Sequence, residues 1–247
     1  MKLAALLALL FVTPAFAFAN GFDDLKTALA LLQGQGVLRG IYEAKELRTE
    51  MEKDVAKPGS TGLASALVED DTAGLQIRWD RALLKRAADE AMPLKGGKKS
   101  EVIAAAIGSS SGIQIAEAVN FAPRLLTMLT RSQLKRERAE PFQGKPARLL
   151  ELNYPEHFAQ EKVSLKNNSR TIQVWLGENN LPLGATITRA IKGSFMLFFS
   201  FENTSKEDLT FSVHANRLVL LRKVDQGSVK SSAGDNQYRN TYTFTPI

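Results

Sequence analysis

From residue 132 onward the chain alternates between extended runs and short polar turns, and this limits the fold more than any other feature. Residues 134–140, 147–153, 170–176, 181–191, 194–202, 209–223 and 239–245 read as strands. Turn residues separate most of them: 142–146, 177–180, 203–205 and 227–234. Connections this short leave no room for crossover helices, so the strands form an antiparallel meander rather than parallel units. Alternation assigns their faces. In 170–176, Ile172, Val174 and Leu176 share one side, and Thr171, Gln173 and Trp175 the other. In 209–215, Leu209, Phe211, Val213 and Ala215 oppose Thr210, Ser212 and His214. The run 194–201 is apolar on both sides, with Phe195, Leu197, Phe199 and Phe201 opposing Met196 and Phe198, and 218–221 is apolar on both sides as well.

Ahead of the meander lie helices and three more strands. Asp23 and Asp24 are expected to cap a short helix carrying Leu25, Leu29 and Leu32, ended by Gly34 and Gly36. Strands are expected over 37–49, 62–69 and 74–79, the last two joined by a hairpin loop at 70–73. Residues 81–92 read as a helix stopped by Pro93, and Gly96-Gly97-Lys98-Lys99 as an exposed loop. An alanine-rich helix follows over 100–107. A third covers 113–130, and Pro123 should bend or split it near Phe121. The expected fold is therefore α+β, with one domain over 20–247. Its curved antiparallel sheet, a half-barrel-like meander, carries the helical insertion 81–130 across its concave face. A sheet with one greasy face needs a cover, and this segment is the cover the sequence offers. The interior is then either solid or partly hollow. Thirteen phenylalanines against four tyrosines and two tryptophans favour apolar filling or a greasy ligand over polar recognition.

The first residues bear on location. Met1-Lys2, an apolar run over 3–12, and the A-x-A pairs Ala15/Ala17 and Ala17/Ala19 describe a secretory signal peptide, 1–19, cut after Ala17 or Ala19. A periplasmic location follows as an expectation. The run ends at Asn20, Asp23 and Asp24, short of the ~20 apolar residues a bilayer span needs, so any membrane contact is expected to be peripheral. There is no cysteine, which removes disulfides, thiolate chemistry and iron–sulfur ligation. His157 and His214 are the only histidines, too few for a histidine-rich metal site, and neither metal nor cofactor is expected. The formal charge is 32 − 26 = +6. In an exported protein that mild excess suits anionic lipid headgroups, lipopolysaccharide or peptidoglycan, not nucleic acid. The clusters Lys95, Lys98, Lys99 and Arg131, Lys135, Arg136, Arg138 read as solvated faces.

One motif raises catalysis. Gly108-Ser109-Ser110-Ser111-Gly112 matches G-x-S-x-G with Ser110 as nucleophile, an elbow that must join a buried strand to a helix. Ala104-Ala105-Ala106 makes a poor central strand, and no His-Gly-Gly oxyanion stretch exists. A flexible loop between helices is the simpler reading. Glu69, Asp70 and Asp71 could suggest a glycosidase or a calcium site, but a solvated hairpin tip explains them. Lys99-Ser100 lacks the glycine of a phosphate loop.

The order of segments carries a likeness. The signal and short helix are followed by Gly40-Ile41-Tyr42-Glu43-Ala44-Lys45, then Gly62-Leu63-Ala64-Ser65-Ala66-Leu67 and Gly74-Leu75-Gln76-Ile77-Arg78-Trp79. After the helices comes Val174-Trp175-Leu176-Gly177-Glu178-Asn179-Asn180-Leu181-Pro182-Leu183. This arrangement resembles the periplasmic outer-membrane lipoprotein-carrier (LolA-like) superfamily, which includes lipid-binding and stress-sensing relatives. The resemblance implies a half-barrel with a helical lid over an apolar cavity for acyl chains. The expected lining is Trp79, Leu125, Leu129, Trp175, Phe195, Phe199 and Phe211. The expected function is non-enzymatic binding or carriage of a lipid or acylated protein. The alternatives are an envelope interaction or sensing module with a filled core, and a serine hydrolase using Ser110.

Overall fold

The computed structural model describes residues 20–34, 36–52, 55–56, 59–92, 102–155, 163–195, 199–232 and 234–247. The expected signal peptide, the 96–99 loop with its lysines, and His157 lie outside them. The strands are β1 (Leu38–Glu52), β2 (Val55–Ala56), β3 (Ser60–Asp71), β4 (Gly74–Trp79), β5 (Gln133–Ala139), β6 (Arg148–Asn153), β7 (Val163–Leu176), β8 (Pro182–Phe195), β9 (Phe199–His214), β10 (Arg217–Ser231) and β11 (Gly234–Pro246). They form one antiparallel sheet in the order β4-β3-β1-β11-β10-β9-β8-β7-β6-β5, with β2 pairing onto β1. The sheet is not closed: β4 and β5 stand at its two edges. The chain is thus α+β, and β11 returns to lie between β1 and β10.

Five helices are seen among the described residues: α1 (Gly21–Ala30), α2 (Arg81–Ala91), α3 (Val102–Gly108), α4 (Gly112–Val119) and α5 (Ala122–Thr130). The cap of α1 is Asn20, whose Oδ1 accepts from the Phe22 amide at 3.2 Å. Asp23 and Asp24, expected as caps, sit instead in the first turn, where they complement the helix dipole. Asp80 caps α2 by accepting from the Ala82 and Leu83 amides at 2.8 and 3.0 Å. The expected break near Phe121 is a full split. Asn120 leaves helical geometry, Pro123 occupies the first turn of α5, and the Phe121 amide donates to the Leu218 carbonyl at 2.7 Å.

Several strand boundaries differ from expectation; residues 227–231, expected as part of a turn, continue β10 and pair with both β9 and β11. Residues 203–205 are not a turn but the middle of β9, paired on both sides, with the Thr204 and Ser228 hydroxyls 2.9 Å apart. The reversal falls at Ala215-Asn216, whose φ values are +46° and +54°, as a two-residue hairpin turn requires. The expected strand 194–202 is divided between the end of β8 and the start of β9. Turn-forming residue types misled in the first two cases, and an uninterrupted apolar run hid a reversal in the third.

The cover is also larger than residues 81–130. The largest core packs α1 and α5 together on β6 to β10, with Leu25, Leu29, Leu125, Leu129, Leu152, Ile172 and Leu218 all buried. A second core seats α4, through Ile115, Ala118 and Val119, on Tyr42, Val68, Val219 and Phe244. A third holds α2 and α3 on β3 through only Leu83, Ala106 and Ala64, with Trp79, Ile103 and Ile107 around them.

Candidate functional site: the inner face of the sheet

Strand register arranges the helix-side face in rows that cross the sheet. One row runs Ala64, Ala44, Tyr242, Lys223, Leu209, Ala185, Val174 and Leu150. The next runs Gly62, Glu46, Asn240, Asp225, Glu207, Ile187, Ile172 and Leu152. A third runs Tyr238, Gly227, Ser205, Arg189 and Arg170. The face therefore passes from apolar rows under the helices to charged and polar rows beyond them. Outward alternation of each strand made this face legible, but its polar rows were not anticipated. The signal was present in β1, where Tyr42, Ala44 and Glu46 fall on one side.

The expected lining residues separate into groups. Leu125, Leu129 and Phe211 belong to the packed core beneath α1 and α5, so they fill the interior instead of lining a cavity. The phenyl ring of Phe121 stands 5.2 Å from that of Phe211 and closes the space between them. Trp175 points to the opposite face. It packs there on Phe142 at 5.4 Å and donates through Nε1 to Glu140 Oε1 at 3.3 Å. Phe199 is 58% exposed at the start of β9 and lines nothing. The side chain of Phe195 lies outside the described residues. Trp79 does sit at the border of the sheet and the α2–α3 pair, opposite Ala66 on the inner face.

Around Tyr42 and Tyr242 the linker between α3 and α4 meets the sheet. The Tyr42 phenol faces Ser110, and the Tyr242 phenol faces Ser109 and Asn240. Burial pushes both phenols above their ordinary pKa, Tyr42 furthest, and nearby Glu46 pushes in the same direction. Ser110 itself donates to the Ala106 carbonyl at 2.7 Å and is buried. It follows a helix, not a strand, so the nucleophile elbow that the motif suggested is not formed. His214 lies at the far end of β9, opposite Arg217 across the β9–β10 turn. Between α4 and the sheet a cleft remains, lined by Tyr42, Gln114, Glu117, Phe121, Lys223 and Tyr242. Its free interior is about 20 Å³, room for a water and far too little for an acyl chain.

Lys223 of the first row reaches the acidic groups of the second. Lys223 Nζ lies 3.0 Å from Glu207 Oε2, and Glu46 is only 3% exposed. Burial raises the Asp225 carboxyl; Lys223 draws it down, Glu207 pushes it up, and the Tyr238 hydroxyl hydrogen-bonds to it. A carboxyl with a raised folded-state pKa binds more protons folded than unfolded across that interval. Its ionisation therefore lowers stability as pH rises through the interval. Asp225→Asn is expected to raise the midpoint of thermal unfolding at pH 7 by roughly 1–3 °C. Below the ordinary carboxylate pKa the gain should disappear. Melting curves at pH 3 and pH 7 check both.

A second opening of about 170 Å³ lies beside the exit of α1, lined by Gln33, Gly34, Asp70, Leu75, Asn120 and Arg217 among others. Its charges hold loops together. Arg217 pairs with Asp70 at 3.0 Å and donates to the Gly36 carbonyl at 3.0 Å. The other hairpin acids are engaged too: Glu69 with Arg39 at 2.6 Å, and Asp71 with the Ala73 amide at 2.7 Å. Among the described residues no group of three metal-ligating side chains occurs. Of the expected basic face 131–138, Arg138 is paired with Glu140 and Glu151. Comparison with protein-family models, curated proteins and solved structures finds nothing that matches this chain.

Proposed function

We propose that the protein is an exported binding or carrier protein for a lipid or an acylated partner. In this reading the unclosed sheet curves as a half-barrel, and α2 and α3 form a lid that lifts to admit the chain. The observation that carries it is an asymmetry of the inner face. Under α1 and α5 the sheet presents Leu, Ile and Val, and the space is full. Under α2 and α3 it presents Gly62 and Ala64, so the helices themselves fill the space. Lifting them would leave an apolar trough floored by these residues and bordered by Ala44, Ala66 and Trp79.

Energetics favour such an exchange. Each methylene buried contributes about 0.8 kcal/mol, so ten of them contribute roughly 8 kcal/mol. A core of three small-to-medium side chains under α2 and α3 holds far less. The lid also carries exposed apolar side chains, Leu84 and Met92, that a lipid surface would accept. No single helix among the described residues is long and apolar enough to cross a membrane.

The expected result is saturable one-to-one uptake of a fluorescent C16 fatty acid by the purified protein, with lipid co-purifying in native mass spectrometry. Absence of both would overturn the proposal. The solid core beneath α1 and α5 would then favour the second reading, an envelope interaction or sensing module.

A further inference from the structure

We propose that the tip of the β8–β9 hairpin is a membrane-docking site that inserts into the interfacial region of a lipid bilayer. Phe195 ends β8 and pairs with Phe199, the first residue of β9. The three residues that join them read Met196-Leu197-Phe198, so five apolar residues follow one another at a chain reversal. Reversals ordinarily draw Gly, Asn, Asp or Ser, whose backbone freedom and polarity suit a tight turn in water. The neighbouring hairpins keep to this, reversing at Asn216 and at Ser231 through Gly234. Turn chemistry therefore does not account for the run. Packing does not account for it either: Phe199 is 58% exposed and joins none of the three cores.

This end of the sheet has two unlike sides. Leu165 of β7 and Phe201 of β9 both reach over Gly193 of β8, each 3.1 Å from where a Cβ would stand. By alternation Phe199 shares the side of Phe201, and buried Ile191 the side of Gly193. The other side has Ser194 opposite Ser200, then a row of Lys192, Glu202, Lys230 and Asp235. Lys192 pairs with Glu202 at 3.0 Å, and exposed Lys166 stands at the adjoining bulge of β7. With Lys166 the row holds three cations to two carboxylates, which suits an anionic headgroup surface, and lysine stems can lie along apolar chains. Residues 193–195 and 199–201 lie beyond the row, and at ~3.3 Å per residue each arm extends roughly 10 Å. That matches the ~5–10 Å to which interfacial apolar faces sink and falls far short of the ~30 Å hydrocarbon core. Strand addition by a second copy is not open here, because β8 lies between β7 and β9, and β9 between β8 and β10. The proposal does not rest on the carrier reading: β1, β11 and β10 separate β9 from β3, on which α2 and α3 lie.

The purified protein is co-sedimented with vesicles of phosphatidylethanolamine and phosphatidylglycerol, and with vesicles of phosphatidylcholine alone. Binding to the first, stronger than to the second and weakening as salt rises, is expected. Phe199→Ser should weaken it at least about tenfold, as loss of a buried phenyl group does, and should leave the melting midpoint unchanged because the position is exposed. Phe199→Trp should place an indole in the bilayer, with emission shifted to the blue and quenched by lipids brominated on their acyl chains. The parent protein, whose tryptophans are Trp79 and Trp175, should show neither change. Absence of vesicle binding, equal quenching in the parent and in Phe199→Trp, or unchanged binding in Phe199→Ser would overturn the site. So would self-association in solution that Phe199→Ser abolishes without any vesicle binding, which would assign the tip to a second copy. Fatty-acid uptake in solution needs no vesicle, so failure of this site and failure of the carrier proposal are told apart.

Discussion

Gly62→Val is expected to lift α3 from the sheet while leaving the rest of the fold in place. A Cβ at Gly62 would fall 1.9 Å from the Val102 carbonyl oxygen and 2.7 Å from its carbon. Both are backbone atoms at the start of α3, so no side-chain rotation relieves the overlap. The Ala106 methyl, at 3.3 Å, adds a third contact. Little opposes the displacement, since α2 and α3 share only a small core with β3. They should move together, because the Glu90 carboxylate of α2 accepts from the Ile103 and Ala104 amides of α3 at 2.8 and 3.3 Å. Amide hydrogen exchange in α2 and α3 should rise at least about tenfold, whereas α1, α4 and α5 stay protected, as expected of a locally opening unit. Fatty-acid uptake should become faster. Gly108→Ala is the matched control, because a Cβ there meets nothing within 4 Å. If Gly62→Val changes neither exchange nor uptake, α2 and α3 are not a lid.

Leu125→Ala is expected to destabilise the protein by about 2–5 kcal/mol, in the range for truncating a fully packed leucine. Leu125 is 0% exposed and lies in the same core as Leu25 and Leu29 of α1 and Leu218 of β10. For a chain of this size the loss corresponds to a fall of roughly 5–15 °C in the unfolding midpoint. A side chain bordering a hollow interior would lose much less, since few neighbours would be deprived of contact. Chemical denaturation with a constant slope separates the outcomes. A loss below about 1 kcal/mol would mean that the space under α5 is not solid.

Several elements were legible because their signals are local. The hairpin at 70–73, the helix starting at Arg81 and the split at Phe121 follow from turn residues, a run of good helix formers and Pro123. The candidate site was less so. Trp175 was expected beside Leu125, yet its own alternation with Val174 already sent it to the other face, where Phe142 receives it. Tyr42 and Tyr242 were missed because they become neighbours only when β11 pairs with β1, about two hundred residues apart in the chain.

Residue order alone is enough for an antiparallel meander interrupted by helices, since both rest on periodicity and turn chemistry within short windows. It is not enough to say which rows of the sheet are apolar, charged or filled. Those depend on strand neighbours and on bulges. At Leu220/Arg222 the register shifts by one residue, and the inward set passes from Leu218 and Leu220 to Lys223 and Asp225. One extra residue reverses every side chain beyond it, and whether a bulge forms is decided by the partner strand.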